Sequence, residues 1–147
     1  MKNLEIIFMR NAGILDVTAN TLDSAHAYKV IGFKKAVKAA LNSLAEAERS
    51  ILEEVGIKNP EAFDKEREEL RKSGADAARL EDLDKQMRRL AELRKELYEE
   101  NANLEGVKTL PFEQFHELQK ENKDLPGKPL NIFEENLENI LWAAPEE

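Results

Sequence analysis

The stretch LEDLDKQMRRLAELRKELYEENANL, residues 80–104, decides the fold class because its leucines return at intervals of seven. The apolar residues at the heptad positions are Leu80, Leu83, Met87, Leu90, Leu97 and Leu104. An interval of seven brings side chains back to the same side of an α-helix after two turns. We therefore predict a long helix over about residues 76–104.

A second long helix is predicted over about residues 24–55, where apolar residues are spaced three, four or seven apart. They are Val30, Val37, Leu41, Leu44, Ile51 and Val55. Gly56 follows at a position typical of a helix stop. Because each stripe needs a partner of similar length, we predict that the two helices pack antiparallel as a hairpin. The alternative is a leucine zipper in which residues 80–104 pair with a second chain.

Shorter helices are predicted around this hairpin. Asn59-Pro60 provides a cap and a first-turn proline for a helix over about residues 60–73. Residues 4–18 are expected to be helical, with a short strand as the alternative, and Asn131 can cap a helix over about 131–142. Phe112, Phe115 and Leu118 form the apolar face of one more short helix. The predicted fold class is all-α, an elongated antiparallel helical hairpin or bundle with shorter N- and C-terminal bracing helices, in a single domain over residues 1–147.

Composition restricts the kinds of partner. Of the 147 residues, 41% are hydrophobic and 35% charged, which is typical of a folded domain with a solvated surface. The net charge of −8 repels phosphate backbones, so general nucleic-acid binding is not expected. The apolar run Ile6–Met9 is too short for a signal or a membrane span, so no membrane association is expected. The expected location is cytoplasmic, or virion-associated if the protein is encoded by a phage.

No pattern in the sequence predicts catalysis. The chain lacks cysteine, and its two histidines, His26 and His116, have no partner ligand at helical spacing. Phosphate loops, nucleophile elbows and dinucleotide motifs are absent from the sequence. We therefore predict no enzyme, no catalytic residue, no metal, no cofactor and no small-molecule substrate.

The partners expected instead are other proteins or further copies of this chain. The predicted C-terminal helix carries an apolar face too large to remain in water, which favours docking on a protein surface. Its candidate protein-binding residues are Phe133, Leu137, Ile140, Leu141 and Trp142. A lysine cluster at Lys34, Lys35 and Lys38 either holds an acidic partner or keeps the second helix soluble.

The order of segments resembles small helical bacteriophage proteins of uncharacterised function that are encoded among virion-structure and assembly genes. The corresponding stretches are LEIIFMRNAGIL at 4–15, HAYKVIGFKKAVKAALNSLAEAERSILEEVG at 26–56, VKTLPFEQF at 107–115 and NIFEENLENIL at 131–141. The resemblance implies a helical virion-structural or assembly factor without catalytic residues. The longer middle helix with leucine heptads departs from that layout.

A second function class stays open beside this one. The leucine heptads are also typical of a coiled-coil adaptor or of a regulatory subunit in a cellular complex. Neighbouring genes for tail and capsid proteins would favour the phage assignment.

Overall fold

The computed structural model describes residues 2–104 and 110–123, with only the backbone of Phe112. Its helices are α1 (Asn3–Asn11), α2 (Ser24–Val55), α3 (Pro60–Ser73), α4 (Ala77–Glu99) and α5 (Phe112–Glu121), with a 3-10 turn at Ile14–Asp16. The described ranges contain no strand, only an isolated bridge between Lys2 and Asn101. The all-α class is confirmed. No helix within these ranges is both long and apolar enough to cross a membrane.

The chain divides into two compact units, Met1–Ser43 with Glu100–Glu147 and Leu44–Glu99. In the described part of the first unit, α1, the beginning of α2 and α5 share one core. Its fully buried larger side chains include Ile6, Met9, Val30, Phe33, Val37, Leu110, Phe115 and Leu118. The expected N-terminal bracing helix is therefore α1, and the apolar face predicted near Phe115 and Leu118 is that of α5.

Helix α1 is shorter than the helix expected over residues 4–18. It ends at Asn11, and Gly13 then adopts a left-handed backbone with φ of +91°. Glycine enters this region without the Cβ clash that penalises other residues. The remainder of the segment is a 3-10 turn followed by extended chain, so the helix prediction is right only for its first half.

The second unit contains the antiparallel pairing predicted from the heptads, between α4 and the last part of α2, from Leu44 to Val55. Gln86 Nε2 donates to the carbonyl of Val55 at 3.0 Å, and the Tyr98 hydroxyl donates to the carboxylate of Glu48. Residues later in α4 thus meet residues earlier in α2, so these parts of the two helices are antiparallel. An ion pair of 2.8 Å between Arg67 and Asp84 adds a contact from α3 to α4.

The leucine heptads pack within the chain. Leu83 and Leu90 are buried with Ile57 and Phe63, and half-buried apolar residues of α2 cover the cluster. Pairing this stripe with a second chain would require the second unit to open. The predicted intramolecular packing is therefore confirmed for these leucines.

Leu104 does not lie on α4, contrary to the prediction of a helix to residue 104. The helix ends at Glu99, and the backbone N–H of Asn3 donates to the carbonyl of Glu100 at 2.9 Å. Pairing with Lys2 then draws Asn101 into an extended bridge. Half-buried Leu104 packs instead on the core of the first unit.

Candidate functional site

The five candidate protein-binding residues of the C-terminal segment lie outside the described residues, as does the whole predicted helix over 131–142. Their role stays a prediction. Within the described chain, large apolar side chains are exposed on two helices of the first unit. They are Leu4 and Phe8 on α1 and Tyr28 and Ile31 on α2.

The exposed residues of α1 lie opposite its buried face. Ile6 and Met9 are completely buried, whereas Phe8 is 52% exposed. At 3.6 residues per turn, Leu4 and Phe8 share one side of the helix and Ile6 and Met9 the other. The outward side of α1 therefore presents apolar surface to solvent.

Helix α2 has the same two-sided character with a longer outward face. Its first half buries Val30, Phe33 and Val37, three residues on one face. That face is fully committed to the core of the first unit. Any partner of this half of α2 must therefore bind the opposite side.

The opposite side carries what we term the outer stripe, defined as Tyr28, Ile31, Lys35 and Lys38. The spacing of three, four and three places these residues in one row along the helix. Tyr28 is 71% exposed, Ile31 is 46% exposed, and both lysines are exposed. Neither lysine pairs with a carboxylate in residues 2–104 or 110–123. The outer stripe is therefore apolar in its first half and cationic in its second.

The lysine cluster noted in the sequence is divided by the structure. Lys34 Nζ donates to the backbone carbonyl of Val17 at 2.7 Å, in a partly buried position. That bond satisfies a carbonyl in the connector before α2 and gives Lys34 a structural role. Only Lys35 and Lys38 belong to the outer stripe.

The start of α2 is capped by Asp23. Its Oδ1 accepts from the backbone N–H of His26 at 3.0 Å and lies 2.8 Å from Nδ1 of the same histidine. The backbone hydrogen bond, with the side-chain bond, holds the pKa of Asp23 below its usual value. His26 therefore helps to form the cap of α2. Residues 2–104 and 110–123 contain no cluster of three side chains that could hold a metal ion.

The end of α5 holds the connector that leads into α2. Glu121 accepts from the backbone N–H groups of Asn20 at 3.0 Å and Thr21 at 2.6 Å, and from the hydroxyl of Thr18. Buried Asn122 accepts from Thr18 N at 2.9 Å and donates to the Thr18 carbonyl at 2.8 Å. We call these contacts the α5 clamp. The clamp therefore places Lys123, the last described residue after α5, next to the residues that precede α2.

The α5 clamp favours an ionised carboxylate. Burial raises the pKa of Glu121, but the hydrogen bonds from Thr18, Asn20 and Thr21 outweigh it and lower the pKa to about 2. A carboxylate with several donors is stabilised in its charged form because each donor aligns with a lone pair. These hydrogen bonds join the end of α5 to the residues that precede α2.

A groove of about 390 Å³ lies at the end of α2 in the second unit. It is lined by Arg49, Leu52, Glu53, Gly56, Ile57 and Lys58. Its three charged side chains are exposed, and ligand sites usually have a few polar groups converging in an apolar cavity. The outer stripe is therefore the better candidate for binding.

Sequence reasoning missed the outer stripe, although a signal was present. Tyr28 and Ile31 are apolar but fall outside the row formed by Val30 and Val37, so they had to face another direction. The α5 clamp left no such signal because it joins residues about a hundred positions apart.

No family model, curated protein or solved structure matches this chain in comparisons with known proteins.

Proposed function

We propose that this chain is a non-enzymatic protein-binding protein that uses the outer stripe of α2. The observation that carries the proposal is the exposure of Tyr28 and Ile31 on a helix whose opposite face is already buried. Single exposed apolar residues are common on protein surfaces. Two in one helical row, followed by Lys35 and Lys38, match the contact pattern of a helix that packs on a partner.

The charge of the outer stripe specifies the class of partner. Lys35 and Lys38 lie beyond the apolar pair, so the complementary surface is a helix or groove with apolar residues and adjoining carboxylates. Tyrosine contributes a large contact area at a small cost in side-chain entropy, which favours Tyr28 as the residue that contributes most to binding.

For the biological role, we propose a virion-structural or assembly factor of a phage, on the basis of the resemblance in segment order. The alternative is a coiled-coil adaptor or regulatory subunit of a cellular complex. The heptad leucines Leu83 and Leu90 are buried in this chain's own core, which weighs against an adaptor that pairs through them. Neighbouring genes for tail or capsid proteins would favour the first role, and their absence would favour the second.

The binding proposal is tested by capture from a lysate of the cell that makes the protein. The Tyr28→Glu/Ile31→Glu double variant places two charges on the outer stripe, and Ala77→Glu/Ala78→Glu adds the same charge at exposed positions on α4. We expect a protein that binds the wild type and the control but not the outer-stripe variant. The captured protein is then purified and its affinity for all three chains measured.

Two results would contradict the proposal. One is a set of captured proteins that does not change when the outer stripe is substituted. The other is equal loss in both variants, which would mean that added charge anywhere disturbs the interaction. Far-ultraviolet circular dichroism checks that both variants keep the helical content of the wild type.

A further inference from the structure

We propose that residues 131–142 bind the outer stripe of α2 in the same chain, so that the C-terminal segment covers the surface used for partner binding. The regulatory meaning rests on the proposed function, whereas the contact itself does not. Three observations support the contact. They are the charges of the two segments, their apolar residues, and the place where the described chain ends.

The charges of the two segments are complementary. The first twenty residues of α2, 24–43, contain four lysines and no acidic residue. Residues 131–142 contain three glutamates, Glu134, Glu135 and Glu138, and no basic residue. Opposite charges on facing helices favour the matched pair and disfavour like-charged alternatives. Lys35 and Lys38 are the lysines on the outer stripe that are available for such a contact.

The apolar residues of the two segments also match. Phe133, Leu137, Ile140 and Leu141 fall at i, i+4, i+7 and i+8, which predicts an amphipathic helix. A helix of this length gains most of its stability by packing an apolar face on another surface. The outer stripe offers such a surface at Tyr28 and Ile31, because both side chains are exposed.

The place where the described chain ends puts the segment within reach. Glu121 and Asn122 bind the residues just before α2, so Lys123 lies next to the start of that helix. Residues 124–130 can span roughly 25 Å when extended. The distance along α2 from Ser24 to Lys38 is about 21 Å at the helical rise of 1.5 Å per residue.

The short tether formed by residues 124–130 favours binding within one chain over binding between chains. A short tether gives the attached segment an effective concentration in the millimolar range, which is far above ordinary protein concentrations. A contact with two apolar residues and two lysines is small, and it benefits most from this effect. The occupant that we infer is therefore the chain's own C-terminal segment.

The experiment uses the full-length chain and its single tryptophan, Trp142. Because the chain has no cysteine, Ser24→Cys or Asn42→Cys introduces one site for a nitroxide quencher at either end of the exposed side of α2. We expect the nitroxide to quench Trp142, and more strongly from position 24 than from position 42. If the glutamates of the segment face Lys35 and Lys38, the residues that follow them, up to Trp142, lie toward the start of α2. Adding Ile31→Glu should restore the fluorescence and shift the emission to longer wavelength.

Controls separate this contact from other effects. Ala78→Glu adds the same charge on α4 and should leave the quenching unchanged. The reciprocal substitution Leu137→Glu should release Trp142 as Ile31→Glu does. Mixing a labelled chain that carries Trp142→Phe with an unlabelled wild-type chain reports binding between molecules. The contact within one chain requires no quenching in this mixture and no dependence on protein concentration.

The proposal is overturned if neither label quenches Trp142, if Ile31→Glu and Ala78→Glu have the same effect, or if quenching appears in the mixed sample. The last result would make a second copy the occupant. None of these measurements uses an external partner. If a partner is captured through the outer stripe but Trp142 is not quenched, the proposed function is retained and this inference is rejected. If Trp142 is quenched but no partner is captured through the outer stripe, this inference is retained and the proposed function is rejected.

Discussion

The α5 clamp leads to a quantitative prediction about Glu121. The Glu121→Gln substitution keeps the shape of the side chain but replaces one acceptor oxygen by an NH₂ group. That group then faces a backbone or hydroxyl donor at Thr18, Asn20 or Thr21, where a carboxylate oxygen accepted a hydrogen bond. We expect the variant to be less stable than the wild type at neutral pH because donors cannot pair with donors.

The magnitude follows from the pKa of Glu121. A drop from 4.5 to about 2 corresponds to at most about 3.5 kcal/mol in favour of the ionised native state. The carboxylate is only partly buried, so screening by water reduces this contribution, and we expect about 1–2 kcal/mol at pH 7. Since the native pKa lies below the unfolded one, the contribution is complete above pH 4.5 and disappears as the pH falls toward 2.

The assay is urea unfolding of the wild type and Glu121→Gln, followed by circular dichroism at several pH values from 7 down to 2.5. The difference in the free energy of unfolding between the two chains should stay constant from pH 7 down to about pH 5 and then decrease as the pH falls below 4.5 toward 2. Glu117→Gln is the matched control on the same helix, because the only ion pair of exposed Glu117 within residues 2–104 and 110–123 is with Lys120, at 3.4 Å. A loss of equal size in both variants, or a difference independent of pH, would refute the reasoning.

Three further predictions concern the cores, the glycines and metals. Leu90→Ala should cost about 2–5 kcal/mol in urea unfolding because Leu90 is 3% exposed, whereas exposed Leu4→Ala should cost far less; equal losses would contradict the assigned core. Gly32→Ala should stabilise α2 by about 0.5–1 kcal/mol, since no atom lies within 4 Å of the added Cβ, but Gly74→Ala, at φ of +62°, should cost about 1–2 kcal/mol; effects of the same sign would refute this contrast. Zinc or magnesium should leave the melting temperature unchanged, and a rise that depends on the metal concentration would reveal a site.

The sequence by itself determined the local elements of this protein. Helices α2 and α3 begin and end at the predicted residues because capping groups, a first-turn proline and glycines with positive φ act over only a few positions. The burial of Leu83 and Leu90 against α2 was likewise predictable from the sequence, because the apolar stripe of each long helix requires another apolar surface to exclude water. These features depend on the spacing of residues along one or two helices.

Only the tertiary structure decided which residues from distant parts of the chain come together. The end of α4 at Glu99 depends on contacts with Lys2 and Asn3, which no pattern near residue 100 contains. The α5 clamp joins Asn122 to Thr18, and Lys34 is drawn from the lysine cluster to the carbonyl of Val17. Such contacts follow from the packing of whole elements, which places donors and acceptors within hydrogen-bonding distance irrespective of their separation in sequence. The outer stripe is defined in the same way, because the core takes one face of α2 and leaves Tyr28 and Ile31 exposed on the other.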